Sequence, residues 1–158
     1  MAYNKSYTVD EATRLLEQYC AYQERSNREV EQKLKSLKMI PEAREKIVLH
    51  LMHANFLNEE RYAKAFVRGK FSIKKWGRRK IVNELKFKGV SDYNIKTGLT
   101  EIDQDDYLRT LEEIALNKAP TIKATNDFQK KQKLQTYLIQ RGFEPELVYQ
   151  VTNKDKNN

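Results

Sequence analysis

Apolar residues recur three and four positions apart along most of the chain, and this spacing predicts a series of amphipathic helices. The stripes that define the pattern are Ala12, Leu15, Leu16 and Tyr19; Val30, Leu34 and Leu37; Ala43, Ile47, Val48 and Leu51; Tyr62 and Phe66; Ile81, Val82 and Leu85; Ile95, Leu99 and Ile102; Tyr107, Leu108, Leu111, Ile114 and Ala115; Leu134, Tyr137 and Leu138; and Leu147, Val148 and Val151. Five glycines and three prolines are too few for a β-sandwich or barrel, which needs a turn about every ten residues. We therefore expect an all-α protein of nine helices.

Capping signals divide the chain into these helices. Thr8 with Glu11, and Ser26 with Glu29, have the spacing of a capping box, in which the side chains at the two positions bond each other's backbone N–H groups. Further boundaries are indicated by Pro41, Asn55, Asn58, Gly89, Ser91, Asp103, Gly142 and Pro145. Asn55 is expected to end its helix in the left-handed conformation that Asn tolerates, and residues 117–126 are expected to form a connector.

The helices are expected to form three tandem repeats. Residues 84–90 and 137–143 share a leucine four positions before a glycine, a basic residue just before that glycine and an apolar residue after it. Residues 33–39 form a weaker copy without the glycine, which gives a period of about 50 residues. The predicted boundaries are a flexible N-terminus (1–7), three-helix repeats at 8–56, 57–102 and 103–152, and a flexible tail (153–158). Modules this small bury their apolar faces by stacking, so we expect an elongated, curved arc.

Positive charge is concentrated in the middle of the chain. The net charge is +8, from 30 Lys and Arg against 22 Asp and Glu. Residues 64–88 hold ten basic residues and a single acid, Glu84, so that the rest of the chain is close to neutral. A charge concentrated in this way predicts an anionic partner rather than a general contribution to solubility.

Several classes of protein are disfavoured. The single cysteine, Cys20, excludes an internal disulfide framework and fits a reducing compartment, and no signal segment or apolar stretch of membrane-spanning length is visible, so we expect a cytoplasmic protein without membrane contact. His50 and His53 are three positions apart on a helix, but no third metal ligand is evident nearby. No phosphate loop or Ser/His/Asp set is present, so we expect neither cofactor nor enzymatic activity.

The ordered motifs of the central segment resemble the RecX family. These motifs are the runs 57–63 (LNEERYA), 66–68 (FVR), 75–81 (KWGRRKI) and 84–90 (ELKFKGV), followed later by 141–143 (RGF). The resemblance extends over roughly residues 10–152 and is strongest in the middle. Two positions depart from the family pattern: the first repeat has Lys38-Met39 in place of Lys-Gly, and Arg78 replaces the proline that frequently follows the central glycine.

The resemblance implies three tandem three-helix repeats and a regulator of the RecA recombinase. Members of the family bind the RecA filament on single-stranded DNA, usually in its helical groove, and reduce ATP hydrolysis and strand exchange. The implied partner is therefore the RecA nucleoprotein filament, and single- or double-stranded DNA is a further expected partner. We expect the chain itself to be monomeric.

The candidate contact residues lie mainly in the basic segment. They are Arg68, Lys70, Lys74, Lys75, Arg78, Arg79, Lys80, Lys86, Lys88 and Arg141, and the residues expected to maintain the repeats are Tyr62, Phe66, Trp76, Gly77, Leu85, Gly89, Leu138 and Gly142. Arg78, Arg79 and Lys80 fall in the first turn of a helix, where cations oppose the helix dipole at a cost of about 0.3–1 kcal/mol each. Together with the free N–H groups of that turn, they predict an anion site.

Alternatives remain for individual residues and for the function. Trp76 is either a base-stacking platform or, as we favour, a residue packed at a corner beside Gly77. Arg68 either contacts the partner or is simply solvated. The competing hypothesis for the whole chain is a basic helical module that binds DNA without RecA.

Overall fold

A computed structural model describes residues 6–153, in which nine α-helices and one short 3₁₀ turn are formed and no strand occurs. The helices are α1 (Val9–Tyr22), α2 (Asn27–Ser36), α3 (Pro41–His53), α4 (Glu59–Ser72), α5 (Arg78–Phe87), α6 (Asp92–Leu99), α7 (Gln104–Lys118), α8 (Asp127–Gln140) and α9 (Pro145–Asn153). The all-α prediction is confirmed. Of the predicted flexible segments 1–7 and 153–158, residues 1–5 and 154–158 lie outside the described residues, and Asn153 is the last residue of α9.

Side-chain caps begin most of the helices where the sequence predicts them. Both capping boxes are formed: Thr8 caps α1 and Ser26 caps α2, each with a glutamate three positions on that bonds back to the cap. Asn58 accepts a hydrogen bond from the Arg61 N–H at 2.9 Å, and Ser91 caps α6 in the same way. Each such cap contributes about 1 kcal/mol to helix stability.

Left-handed residues end α2, α5 and α8 at equivalent positions. Gly89 (φ +79°) and Gly142 (φ +102°) follow α5 and α8, and Lys38 (φ +61°) occupies the same place after α2. The weak first copy of the motif therefore keeps the backbone conformation without the glycine that favours it. Asn55 has φ +64° after α3, as predicted.

The connector before α8 is shorter than residues 117–126. Helix α7 continues to Lys118 and runs into the 3₁₀ turn Ala119–Thr121. Pro120 lies in the first turn of this 3₁₀ segment, where its missing N–H leaves no hydrogen bond unmade.

The helices pack in three consecutive triads, α1–α3, α4–α6 and α7–α9, and the closest helix pairs all lie within a triad. The first triad has a hydrophobic core of its own, whereas the second and third triads share one continuous core. The separate core of the first triad is consistent with stacked triads rather than a single globule.

Candidate functional site

The basic segment forms two distinct structures on the second triad. One is the joint with the third triad, where Arg78 and Arg141 are held by hydrogen bonds. The other is an exposed surface that contains most of the lysines.

Arg78 is the centre of the joint. Its Nη1 donates to Glu144 Oε2 at 2.9 Å and its Nη2 to Gln104 Oε1 at 2.5 Å. Its guanidinium carbon lies 3.8 Å from the ring centroid of Tyr107, and its backbone N–H donates to the Tyr107 hydroxyl at 2.9 Å. This set of bonds fixes α5 against α7 and the start of α9. We place Arg78 in the joint rather than on the binding surface.

Tyr107 completes this network from the third triad. Its side chain is fully buried, its ring lies between Phe71 and Phe143 at centroid distances of 5.7 and 5.2 Å, and its hydroxyl donates to Glu144. Burial, and then the hydrogen bond to Glu144, raises the pKa of Tyr107 above its ordinary value. The phenol is therefore neutral at physiological pH and serves as both donor and acceptor.

The backbones of the two triads meet at Gly77 and Gly142. The Gly77 N–H donates to the Arg141 carbonyl at 2.8 Å, and the Arg79 N–H donates to the Gly142 carbonyl at 2.9 Å. A Cβ atom on Gly77 would overlap the backbone of Gly142 and Phe143. A glycine is required here for the close approach, not for its conformational freedom.

The predicted anion site at the start of α5 is wrong. The N–H groups of Gly77, Arg78 and Arg79 already donate to Arg141, Tyr107 and Gly142, so this helix terminus binds the third triad instead of a phosphate. The sequence could not show this, because the acceptors lie about 30 to 65 residues further along the chain.

Two other predicted contact residues also have partners within the chain. Arg141 donates through Nη2 to the carbonyl oxygens of Lys74 and Lys75, at 2.6 and 3.1 Å. Arg68 forms an ion pair with Glu101, with 2.7 Å between Nη1 and Oε1, although its side chain is 55% exposed. Arg141 therefore belongs to the joint, and the charge of Arg68 is locally balanced.

Lysine and aromatic side chains alternate along the exposed surface. Lys88 Nζ lies 6.0 Å from the Phe66 ring centroid, and Lys70 Nζ lies 5.4 Å from Phe66 and 4.7 Å from Trp76. Lys80 Nζ follows at 4.4 Å from Trp76. We call these five residues the cation–aromatic row. Each ammonium group lies near an aromatic ring, which positions it. The ring carries no negative charge, so the positive charge of the lysine remains available to a partner.

Four further cations surround the row. Lys74, Lys75, Arg79 and Lys86 are exposed, and none of their side chains forms an ion pair with another residue in the range 6–153. Together with the three lysines of the row they give the second triad a surface of seven cations that form no ion pair within residues 6–153. Such a surface attracts a polyanion or an acidic protein face.

A groove runs between the row and the first triad. It has a volume of about 360 Å³, and Phe66, Lys70 and Lys88 form one wall. Glu24 and Glu29 of the first triad also line it. The groove therefore brings carboxylates of one triad near lysines of the next.

The predicted structural residues lie mainly inside the triads. Leu85 and Leu138 are fully buried, Tyr62 is buried, and Phe66 and Trp76 pack partly against the shared core. A Cβ at Gly89 would contact the Arg28 guanidinium of the first triad.

Sequence reasoning missed Tyr107, Gln104 and Glu144 as joint residues. One signal was present: Tyr62 and Tyr107 each lie four residues after the N-cap of the first helix of their triad, Asn58 and Asp103. The Tyr62 hydroxyl lies near Glu29 and Ser26 at the start of α2, as the Tyr107 hydroxyl accepts from the first N–H of α5. A tyrosine at this position therefore marks a joint with the preceding triad.

The described residues contain no group of three metal-ligating side chains. His50 Nε2 lies 3.3 Å from Glu17 Oε2, which links α3 to α1. No helix between residues 6 and 153 has the length and apolarity to span a bilayer.

The fold and surface together define a class: an all-helical protein of stacked three-helix units with an exposed basic face. Family models for the second and third three-helix domains of RecX match residues 58–99 and 105–152. Regulatory protein RecX of Prosthecochloris aestuarii is 31% identical over 136 residues, which cover 86% of this chain and 87% of that protein. The chain belongs to the RecX family.

Other relatives differ in length. Regulatory protein RecX of Enterococcus faecalis is 31% identical over 145 residues, and the matched region is 91% of this chain but only 54% of that protein. The crystal structure of RecX from Lactobacillus salivarius has a TM-score of 0.84 at 21% identity, and the match covers 95% of this chain and 97% of that one. A second RecX crystal structure also has a TM-score of 0.84, at 22% identity. These likenesses support the fold of stacked helical triads.

Proposed function

We propose that this protein binds the RecA filament assembled on single-stranded DNA and reduces its ATPase and strand-exchange activities. The observation that carries the proposal is the basic surface of the second triad, in a chain that belongs to a family of proteins named as regulators. The surface presents seven cations that form no ion pair within the described residues, namely Lys70, Lys74, Lys75, Arg79, Lys80, Lys86 and Lys88. A nucleoprotein filament offers both phosphates and acidic side chains to such a surface.

The proposed mechanism is a bias between filament states. The stacked triads lie along the filament and contact neighbouring protomers, with the second triad nearest the DNA. Binding that is tighter to one filament state than to the others raises the population of that state at the expense of those needed for ATP turnover and strand exchange. No catalytic step by this chain is involved.

The proposal includes the organisation of the chain. We propose that residues 8–56, 57–102 and 103–152 are the repeats and that the protein acts as a monomer. A partner that assembles on chromosomal DNA implies a cytoplasmic location.

The test is an ATPase assay of RecA on single-stranded DNA with increasing amounts of this protein. Lys74→Ala, Arg79→Ala and Lys80→Ala are combined in one variant, which leaves the Arg78 network intact. The matched control combines Lys35→Ala, Lys46→Ala and Lys96→Ala, three exposed lysines outside the surface. Wild type and control should inhibit, and the surface variant should require about tenfold more protein, since three contacts of about 0.5 kcal/mol each are lost. Equal inhibition by both variants would exclude this surface.

The cation–aromatic row favours a second candidate function, the binding of single-stranded nucleic acid without a protein partner. Aromatic rings interleaved with lysines bind bases by stacking and phosphates by charge. Lys70 and Lys80 lie close to the Trp76 ring, so a base would have to displace an ammonium group from it.

Titration of a labelled oligonucleotide at increasing salt tests this candidate. Stacking predicts that Trp76→Leu weakens binding to naked DNA by about 1–3 kcal/mol, or roughly five- to a hundredfold, with little change in the salt slope. If the naked strand binds weakly and RecA restores binding, the first function is the better account.

A further inference from the structure

We infer that the joint between the first and second triads is a hinge, whereas the second and third triads form one rigid body. The two joints use the same positions of the repeat but differ in chemistry. The joint to the third triad has a continuous apolar core and the joint to the first triad does not, and this difference determines which one opens.

The joint between the second and third triads is apolar at its centre. Phe71 of the second triad packs on Tyr107 of the third, and Tyr107 packs on Phe143. The backbone contact between Gly77 and Gly142 closes it from one side. Opening this joint would expose part of the shared core to water, which is unfavourable in proportion to the apolar area exposed.

The joint between the first and second triads is polar. Arg61 Nε lies 2.5 Å from Glu24 Oε1, the Arg28 guanidinium donates to the Phe87 carbonyl, and the Tyr62 hydroxyl lies near Glu29 and Ser26. The apolar cores on the two sides are separate clusters. Water can replace these polar contacts when the joint opens, so opening exposes little apolar surface.

A buried polar atom also weakens the closed form of this joint. The Glu24 carboxylate pairs with Arg61 through Oε1, but its buried Oε2 has no hydrogen-bond partner in the described residues. A buried acceptor without a partner is unfavourable. Opening lets water hydrate this oxygen and so removes that cost.

The hinge bears directly on the basic surface. The groove beside it has Glu24 and Glu29 on the first triad and Lys70 and Lys88 on the second. Opening moves the carboxylates away from the lysines and exposes the Phe66 end of the cation–aromatic row to an anionic partner. This consequence rests on the proposed function, but the hinge itself does not.

Distance measurements between spin labels test the hinge without any partner. Labels are placed in pairs at the exposed positions Lys35, Asn83 and Gln132, one in each triad, in a Cys20→Ala background whose folding is checked by its helical circular dichroism. The 35–83 distance distribution should be about twice as wide as the 83–132 distribution, as expected when two bodies move about one joint. It should widen further from about 0.05 to 1 M salt, because salt screens the half-exposed Arg61–Glu24 pair.

Substitutions distinguish the hinge from general flexibility. Arg28→Ala should widen the 35–83 distribution at low salt and leave 83–132 unchanged. Arg14→Ala, an exposed arginine elsewhere in the first triad, should change neither. Equal widths for the two pairs, with no response to salt or to Arg28→Ala, would overturn the hinge, and so would a response of the 83–132 pair.

Discussion

Gly77 and Gly142 face each other with no side chain between them, and the N–H groups of Gly77 and Arg79 donate to the carbonyls of Arg141 and Gly142. This contact joins the second triad to the third. It explains why the tryptophan-glycine corner of the central motif is followed, four helices later, by an arginine-glycine pair.

Gly77→Ala should destabilise the protein by about 1–3 kcal/mol, the cost of forcing extra volume into a packed site. The added methyl group meets the Gly142 and Phe143 backbone, which cannot rotate away. Thermal unfolding followed by circular dichroism measures the effect. Gly69→Ala is the control, since a Cβ at that helical position meets nothing within 4 Å, and alanine there should stabilise by about 0.5–1 kcal/mol. If Gly77→Ala left the thermal stability unchanged, the backbones of the two triads could not be in close contact at this joint.

Tyr107→Phe should lower stability by about 1–3 kcal/mol while the ring stack is preserved. The substitution leaves the Arg78 N–H and one Glu144 oxygen without their shared partner in a half-buried site. Urea unfolding at neutral pH measures the loss. Tyr93→Phe, at a tyrosine that is 77% exposed, is the matched control and should change little.

Stability should fall as the pH rises above 10. Burial, followed by neighbouring carboxylates, raises the pKa of both Tyr62 and Tyr107 above the ordinary value of 10. The unfolded chain therefore releases these protons at a lower pH than the folded chain does, so their contribution is complete below pH 10 and declines above it. Urea unfolding between pH 8 and pH 11.5 should show this decline, and Tyr107→Phe should reduce its slope. An unchanged slope would mean that the Tyr107 hydroxyl is more hydrated than its burial indicates.

Lys38→Gly should stabilise the first triad by about 1 kcal/mol. Lys38 has φ +61° at the position that Gly89 and Gly142 occupy in the other triads, and glycine adopts this conformation without steric cost. The reverse change, Gly89→Ala, should destabilise because it adds both the strain and a contact with Arg28. Chemical denaturation of the two variants measures both changes in the free energy of unfolding. If Lys38→Gly did not raise that free energy, Lys38 would be unstrained.

The sequence was sufficient to predict the helices, but not the joints between triads. Capping boxes at Thr8 and Ser26 and the asparagine at 55 act within one turn, so local chemistry determines them. The bonds of Arg78 to Glu144 span 66 residues. Charge alone made Arg78 resemble a ligand-binding residue, because nothing in the local sequence shows that a buried tyrosine and a carboxylate meet it there.

For the exposed lysines, the sequence predicted the surface but not the contacts within it. Concentration of charge between residues 64 and 88 correctly identified a basic surface, but the pairing of Lys70 and Lys80 with Trp76 depends on how α4 and α5 cross. The period of about 50 residues predicted the stacking of triads, yet the separate core of the first triad depends on packing that periodicity does not encode.

The most direct test of the central claim is the affinity of the full chain for RecA filaments on labelled single-stranded DNA, measured by anisotropy beside the same strand without RecA. The account predicts tighter binding to the filament than to the naked strand. It also predicts that the Lys74, Arg79 and Lys80 triple alanine variant loses about tenfold in filament affinity, while the Lys35, Lys46 and Lys96 control does not. Wild-type affinity of the surface variant for the filament would contradict the account.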